Sequence, residues 1–251
     1  MWRSSLLIFT CAVLSGACAA GDAVETEASG EAVAPRAAAA PTIVTEADIP
    51  ADIHRESWAR LPHPQREQMD ADGQRAYDIV RAPGSRYADS LWGPVGMWLH
   101  SPGMVEHLFP ASSYLRFGTD KDQRLTELTI LATAREVRSQ YEWTAHEPPA
   151  VAAGLEAEII ELVKQRAPLD GAGDVPGLGD VERLIIQFTR EAISDERVSS
   201  ETFARAHELL GDTGVMDLVG LIGYYNFVNI TLKSFDLQLE PGRERMLPDL
   251  W

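Results

Sequence analysis

The chain has 251 residues, 45% of them hydrophobic, which is enough to bury a sizeable core in one large domain or two small ones. Its 22 Lys and Arg against 38 Asp and Glu give a formal charge of −16, which repels nucleic-acid phosphates and excludes DNA or RNA as an expected partner. Both cysteines, Cys11 and Cys18, fall near the N-terminus, so the rest of the chain has no disulfide, thiol nucleophile or thiolate metal site.

Residues 1–18 read as an export signal: Arg3 supplies a short positive region, and Leu6 to Leu14 form an apolar run too short to span a bilayer. Leu14-Ser15-Gly16-Ala17-Cys18 resembles a loose lipobox, which would make Cys18 a lipidated N-terminus. Ordinary signal cleavage after Ala17-Cys18-Ala19 is the competing reading. Either one places the protein outside the cytoplasm, as a membrane-anchored lipoprotein or as a periplasmic or secreted protein. Residues 19–50 are rich in Ala, Glu, Gly and Pro and nearly devoid of large apolar side chains, and are expected to form a disordered tether.

The folded domain is expected over 51–251, and its apolar periodicity is helical throughout, with no convincing strand, so the class is all-α. Gln65 to Val80 is a first helix, stopped by Ala82-Pro83-Gly84. Pro102 to Phe117 is a second, with Ser101 as N-cap and proline at its first position. Asp120 to Val137 follows, with Leu125, Leu128, Leu131 and Ala132 along one face. The register restarts at Ser139 and runs toward Ala153-Gly154, and Leu155 to Ala167 is the next helix. A loop dense in Gly, Pro and Asp then separates two helical halves.

The second half opens at Asp180 and continues through Ser199 to Leu210, where Gly211 is a natural stop. Val215 to Leu232 is apolar nearly all round and predicts a buried central helix. Gly220 and Gly223 within it predict close approach of a neighbour, or else merely loosen the helix.

Glu127, Ser139, Glu142 and His146 stand out as chemistry-bearing. On one continuing helix the last three share a face, so a carboxylate and an imidazole can meet, and Glu127 lies on the preceding helix among apolar neighbours that would push its pKa up. Each has a structural alternative: Ser139-x-x-Glu142 fits a capping box, and a lone histidine is commonly a hydrogen-bonded helix residue. Glu142 and His146 at i, i+4 are two metal ligands without an evident third, so no metal is expected, and no nucleotide or other cofactor fingerprint is present.

The stretch carrying these residues is similar to the core of the carboxymuconolactone decarboxylase-like family, which includes the AhpD-type alkylhydroperoxidases. Glu127 takes the place of the family glutamate and His146 that of its histidine, nineteen residues on. The resemblance spans roughly 87–232, including Arg124-Leu125-Thr126-Glu127-Leu128 and Gly223-Tyr224-Tyr225-Asn226. Ser139 and Glu142 stand where the peroxidase branch has its Cys-x-x-Cys pair, which implies a non-redox member.

The resemblance implies cofactor-free acid/base chemistry on a small carboxylated or lactone-like molecule. His146 would donate a proton to carbon after loss of CO₂, Glu127 would orient it, Glu142 would assist, and Arg124 or Arg135 would attract the substrate. It also implies a homo-oligomer, a trimer or hexamer. Two rivals stay open: a lyase or isomerase acting on an unrelated small molecule, and a non-catalytic extracytoplasmic binding or scaffold protein on the same fold.

Overall fold

The computed structural model describes residues 42–173 and 175–248. The export signal, Cys18 and residues 19–41 of the expected tether therefore lie outside the described residues. The chain is all-α as predicted, with one small addition. β1 (Thr42–Ile43) pairs antiparallel with β2 (Glu244–Arg245), and Val44, Ile49 and Ile53 bury together against Trp58 and Leu239. The last residues assigned to the tether thus belong to the folded unit, because three apolar side chains spaced through an otherwise polar stretch find a shared pocket.

The expected helix over 65–80 divides. Arg66–Gln68 makes a 3₁₀ turn, and α1 runs Ala71–Val80, because the Asp70 carboxylate accepts from the Gly73 amide at 2.8 Å and begins a new helix. A short helix that periodicity did not reveal, α2 (Pro94–Trp98), is wholly buried. Gly93 leads into it at φ +63°, a region open to glycine.

α3 (Pro102–Ser113) starts where expected, although the Ser101 side chain makes no capping bond. It ends in a π-helical turn, Tyr114–Gly118, which turns Arg116 inward and leaves Tyr114 and Phe117 exposed.

α4 (Gln123–Glu136) is capped by Asp122 and buried from Thr126 to Arg135. It lies between two core regions, giving Leu128 and Leu131 to one and Ile130 to the other. Arg138, at φ +57°, reverses the chain into α5 (Gln140–Ala152). α6 (Ala157–Lys164) and α7 (Asp180–Ser194) enclose the first region with α4 and α5.

α8 (Ser200–Ser234) breaks at Gly211, whose backbone is non-helical. The stop expected there is a kink instead, and the helix resumes at once. Its second half buries Leu218 and Ile222 in the first core region and Leu221, Tyr225, Val228 and Leu232 in the second, but Met216, Val219 and Ile230 are exposed, so the helix expected to be buried all round is one-sided. Gly220 does permit close approach, since a Cβ there would meet Leu115 Cδ2 at 2.9 Å. Gly223 faces open space.

Candidate active site

The antiparallel run of α4 into α5 sets Glu127 beside His146. The His146 Nδ1–H donates to Glu127 Oε2 at 2.7 Å, and both side chains are buried. Arg116, from the π turn, donates through Nη2 to the other oxygen of Glu127 at 3.2 Å. Glu142 sits one turn before His146 on α5, with Oε2 at 3.3 Å from Nε2. That is ion-pair range without hydrogen-bond alignment, and Glu142 Oε2 has no hydrogen-bond partner. Tyr225 of α8 meets the imidazole edge-on, with ring centres 5.2 Å apart.

Burial by itself would strip the proton from His146, but the carboxylates of Glu127 and Glu142 at its two nitrogens reverse that and raise its pKa to about 9. Glu127 moves the opposite way to the sequence expectation. Burial pushes its pKa up, yet the hydrogen bond and charge of His146, with Arg116 behind, hold it below the ordinary carboxylate value. The pair therefore exists at neutral pH as imidazolium and carboxylate. Burial pushes the hydroxyls of Tyr87, Tyr141, Tyr224 and Tyr225 upward, which keeps four neutral phenols around the site.

His146 and Glu142 face a cavity of about 40 Å³, walled also by Arg86, Arg116, Tyr224 and Tyr225. Glu127 stands behind the imidazole and does not line it. Trp92, Tyr141 and Ala145 are shared with a larger, partly open chamber of about 500 Å³ that continues past Trp58 and Arg243, a volume within the range of small-molecule sites.

Of the sequence candidates, Glu127, Glu142 and His146 converge. Ser139 is the N-cap of α5, its hydroxyl accepting from the Glu142 amide at 3.4 Å, so its role is the structural alternative weighed above. Arg124 is engaged elsewhere, by Glu156 at 2.9 Å and Glu182 at 2.6 Å, and Arg135 donates to the Lys164 carbonyl at 2.7 Å. The cations at the site are Arg116 and Arg86, which periodicity did not single out. The available signal was Arg116 alone in the apolar run Tyr114-Leu115-Arg116-Phe117.

Among the described residues no cluster of three His, Asp or Glu is arranged to hold a metal ion. The two carboxylates flank the imidazole on opposite nitrogens rather than converging on one point.

No protein-family model matches the sequence, and no curated protein does either. Among solved structures the chain is similar to the alkylhydroperoxidase AhpD core of an uncharacterized peroxidase-related protein from Ralstonia eutropha JMP134. The TM-score is 0.54 at 16% identity, over 72% of this chain and 92% of that one. The likeness is one of fold, and this chain has an AhpD-like all-α fold.

Proposed function

We propose that the domain is a cofactor-free enzyme that moves a proton to or from a small carboxylated or lactone-like substrate, with decarboxylation as the leading reaction and His146 as the acid. The observation that carries this reading is the buried His146 side chain, bound at Nδ1 to Glu127, with Nε2 at 3.3 Å from Glu142 Oε2, in the wall of the cavity. In a decarboxylation the carbon–carbon bond to the carboxylate breaks, CO₂ leaves, and the electron pair stays as a dienolate-like carbanion. The Nε2 proton then passes to that carbon, and His146 regains a proton from water. Glu127 keeps the ring oriented and charged, and Glu142 holds the substrate or a water beside Nε2.

Thiol peroxidase chemistry is not proposed, because the positions where that branch places its cysteines carry Ser139 and Glu142, and Cys11 and Cys18 precede the domain. Export, anchoring at Cys18 and assembly into a trimer or hexamer belong to the same proposal, supported by the N-terminal sequence and the family resemblance.

The test is an NMR titration of the His146 imidazole with and without Glu127→Gln. A pKa well above that of an ordinary histidine, falling on loss of the carboxylate, supports the acid role and justifies a substrate-depletion screen of lactone and keto acids. An ordinary titration indifferent to Glu127 removes it.

A further inference from the structure

Two polar atoms beside the His146 cavity are buried and make no hydrogen bond: Arg116 Nε, and Glu142 Oε2, which has the His146 Nε2 charge at 3.3 Å and further accepting capacity left. Their side chains line the same cavity and are 7% and 5% exposed, so neither is relieved by bulk water. A buried donor and a buried acceptor without hydrogen bonds cost free energy that most folds avoid, and where their side chains line one small cavity they describe the group that would fill it. That group offers an oxygen to Arg116 and a hydroxyl hydrogen to Glu142. Waters can serve both atoms at rest and be displaced by a ligand that reproduces their bonds.

The charge around the cavity narrows the class. Arg86, Arg116 and the protonated His146 face it against Glu142, and with Glu127 counted behind the ring three cations stand against two carboxylates, which leaves one net positive charge at the cavity of a chain whose formal charge is −16 and suits one carboxylate of a ligand. At about 40 Å³ the cavity takes a few non-hydrogen atoms, and the remainder of a ligand must continue past Trp92 and Tyr141 into the chamber of about 500 Å³ that both residues also line.

We infer that the site recognises a 2-hydroxy acid or the enol form of a 2-keto acid, carried on a flat apolar body. The carboxylate oxygen accepts from Arg116 Nε–H, and the neighbouring hydroxyl donates to Glu142 Oε2. The body lies between Trp92 and Tyr141. This arrangement rests on His146 as the proton-transfer group proposed above, and it sets the carbon between the two oxygens beside Nε2.

Binding is tested without turnover by calorimetric titration of the full-length protein with mandelate, phenylacetate and benzyl alcohol, which carry both groups, the carboxylate alone and the hydroxyl alone. Mandelate is expected to bind about ten-fold more tightly than phenylacetate or benzyl alcohol. Glu142→Ala should erase the preference, bringing mandelate and phenylacetate to the same affinity. Arg116→Lys, which keeps the charge and loses the Nε–H, should weaken both acids and spare the alcohol.

Equal affinity for mandelate and phenylacetate overturns the assignment, as does a Glu142→Ala protein that loses both acids equally. Should Arg116→Lys fail to fold, the Glu142→Ala comparison decides alone. Loss of this selectivity with a raised His146 titration sinks the hydroxy-acid assignment only, whereas an ordinary His146 titration sinks the acid/base reading.

Discussion

Arg116 and His146 hold the two different oxygens of one buried carboxylate, that of Glu127, at 3.2 and 2.7 Å. Glu127 consequently has neither oxygen open toward the cavity. In the proposed mechanism it would act through the imidazole, as a positioning residue, and its removal should be read in the behaviour of His146.

Glu127→Gln should lower the His146 pKa from about 9 toward the ordinary histidine value of 6.5. Because the folded-state pKa is raised, the stability that His146 contributes is complete below pH 6.5 and is lost as pH climbs through 9. Glu127, held low, contributes the reverse way, and its share is lost as pH falls through its own titration. Urea unfolding at pH 6 and pH 9.5 should show the wild type losing roughly 2–3 kcal/mol between them, by the equivalence of pKa shift and free energy. The Gln variant should show much less of this loss, and an equal slope in both proteins would contradict the coupling.

Arg116→Met leaves Glu127 with one oxygen unpaired in the interior. Breaking a buried pair by removing one partner costs about 3–5 kcal/mol, so this variant should be among the least stable single substitutions in the domain. Combining it with Glu127→Gln removes the stranded charge, and the double variant should be less destabilised than the sum of the two. Additive losses in a double-mutant cycle would show that the two side chains do not interact.

His146→Gln keeps a buried polar side chain of similar reach and should leave the fold intact by circular dichroism. On any substrate found by depletion screening, turnover should fall about 10²- to 10⁴-fold, the usual contribution of a positioned acid. Turnover within a few-fold of wild type would exclude His146 as the proton donor.

Gly220 and Gly223 separate two effects of glycine in a helix. At Gly223 an added Cβ meets nothing within 4 Å, so Gly223→Ala should stabilise by about 0.5–1 kcal/mol through helix propensity. At Gly220 a Cβ already meets Leu115 Cδ2 at 2.9 Å and further bulk worsens the clash, so Gly220→Val should destabilise by about 1–3 kcal/mol. Thermal unfolding of the two proteins should move in opposite directions.

The long amphipathic helices were legible because periodicity and capping are local properties, and the Glu127–His146 spacing because it matches the motif of the family that the sequence resembles. Ser139 and Gly154 mark boundaries that the chain uses, whereas the helix expected from Asp120 starts at Gln123 behind the Asp122 cap. Three features were not legible. α2 is five residues long, below the span over which an amphipathic period can be read, and it owes its helicity to burial. The β1–β2 pairing joins residues about two hundred positions apart through two residues on each side, with no local hairpin to announce it. Arg116 sits in a sequence that reads as the last turn of an ordinary helix, and its inward direction follows from backbone geometry rather than from residue type. The sign of the Glu127 shift likewise depends on Arg116 and on proton sharing with His146, partners that only the tertiary fold supplies.

The π turn at 114–118 makes the site's buried cation depend on chain length. A π turn holds one residue more than the α-helix would at the same place, and each residue of an α-helix rotates the chain by about 100°. Deleting one residue within this segment would let α3 continue in regular register and swing position 116 away from Glu127 with no change in composition at the site itself. A gain or loss of one codon here can thus create or abolish the arginine clamp in a single step. Homologous chains that differ by one residue in this turn would then divide into proteins with and without a guanidinium behind the Glu127–His146 pair.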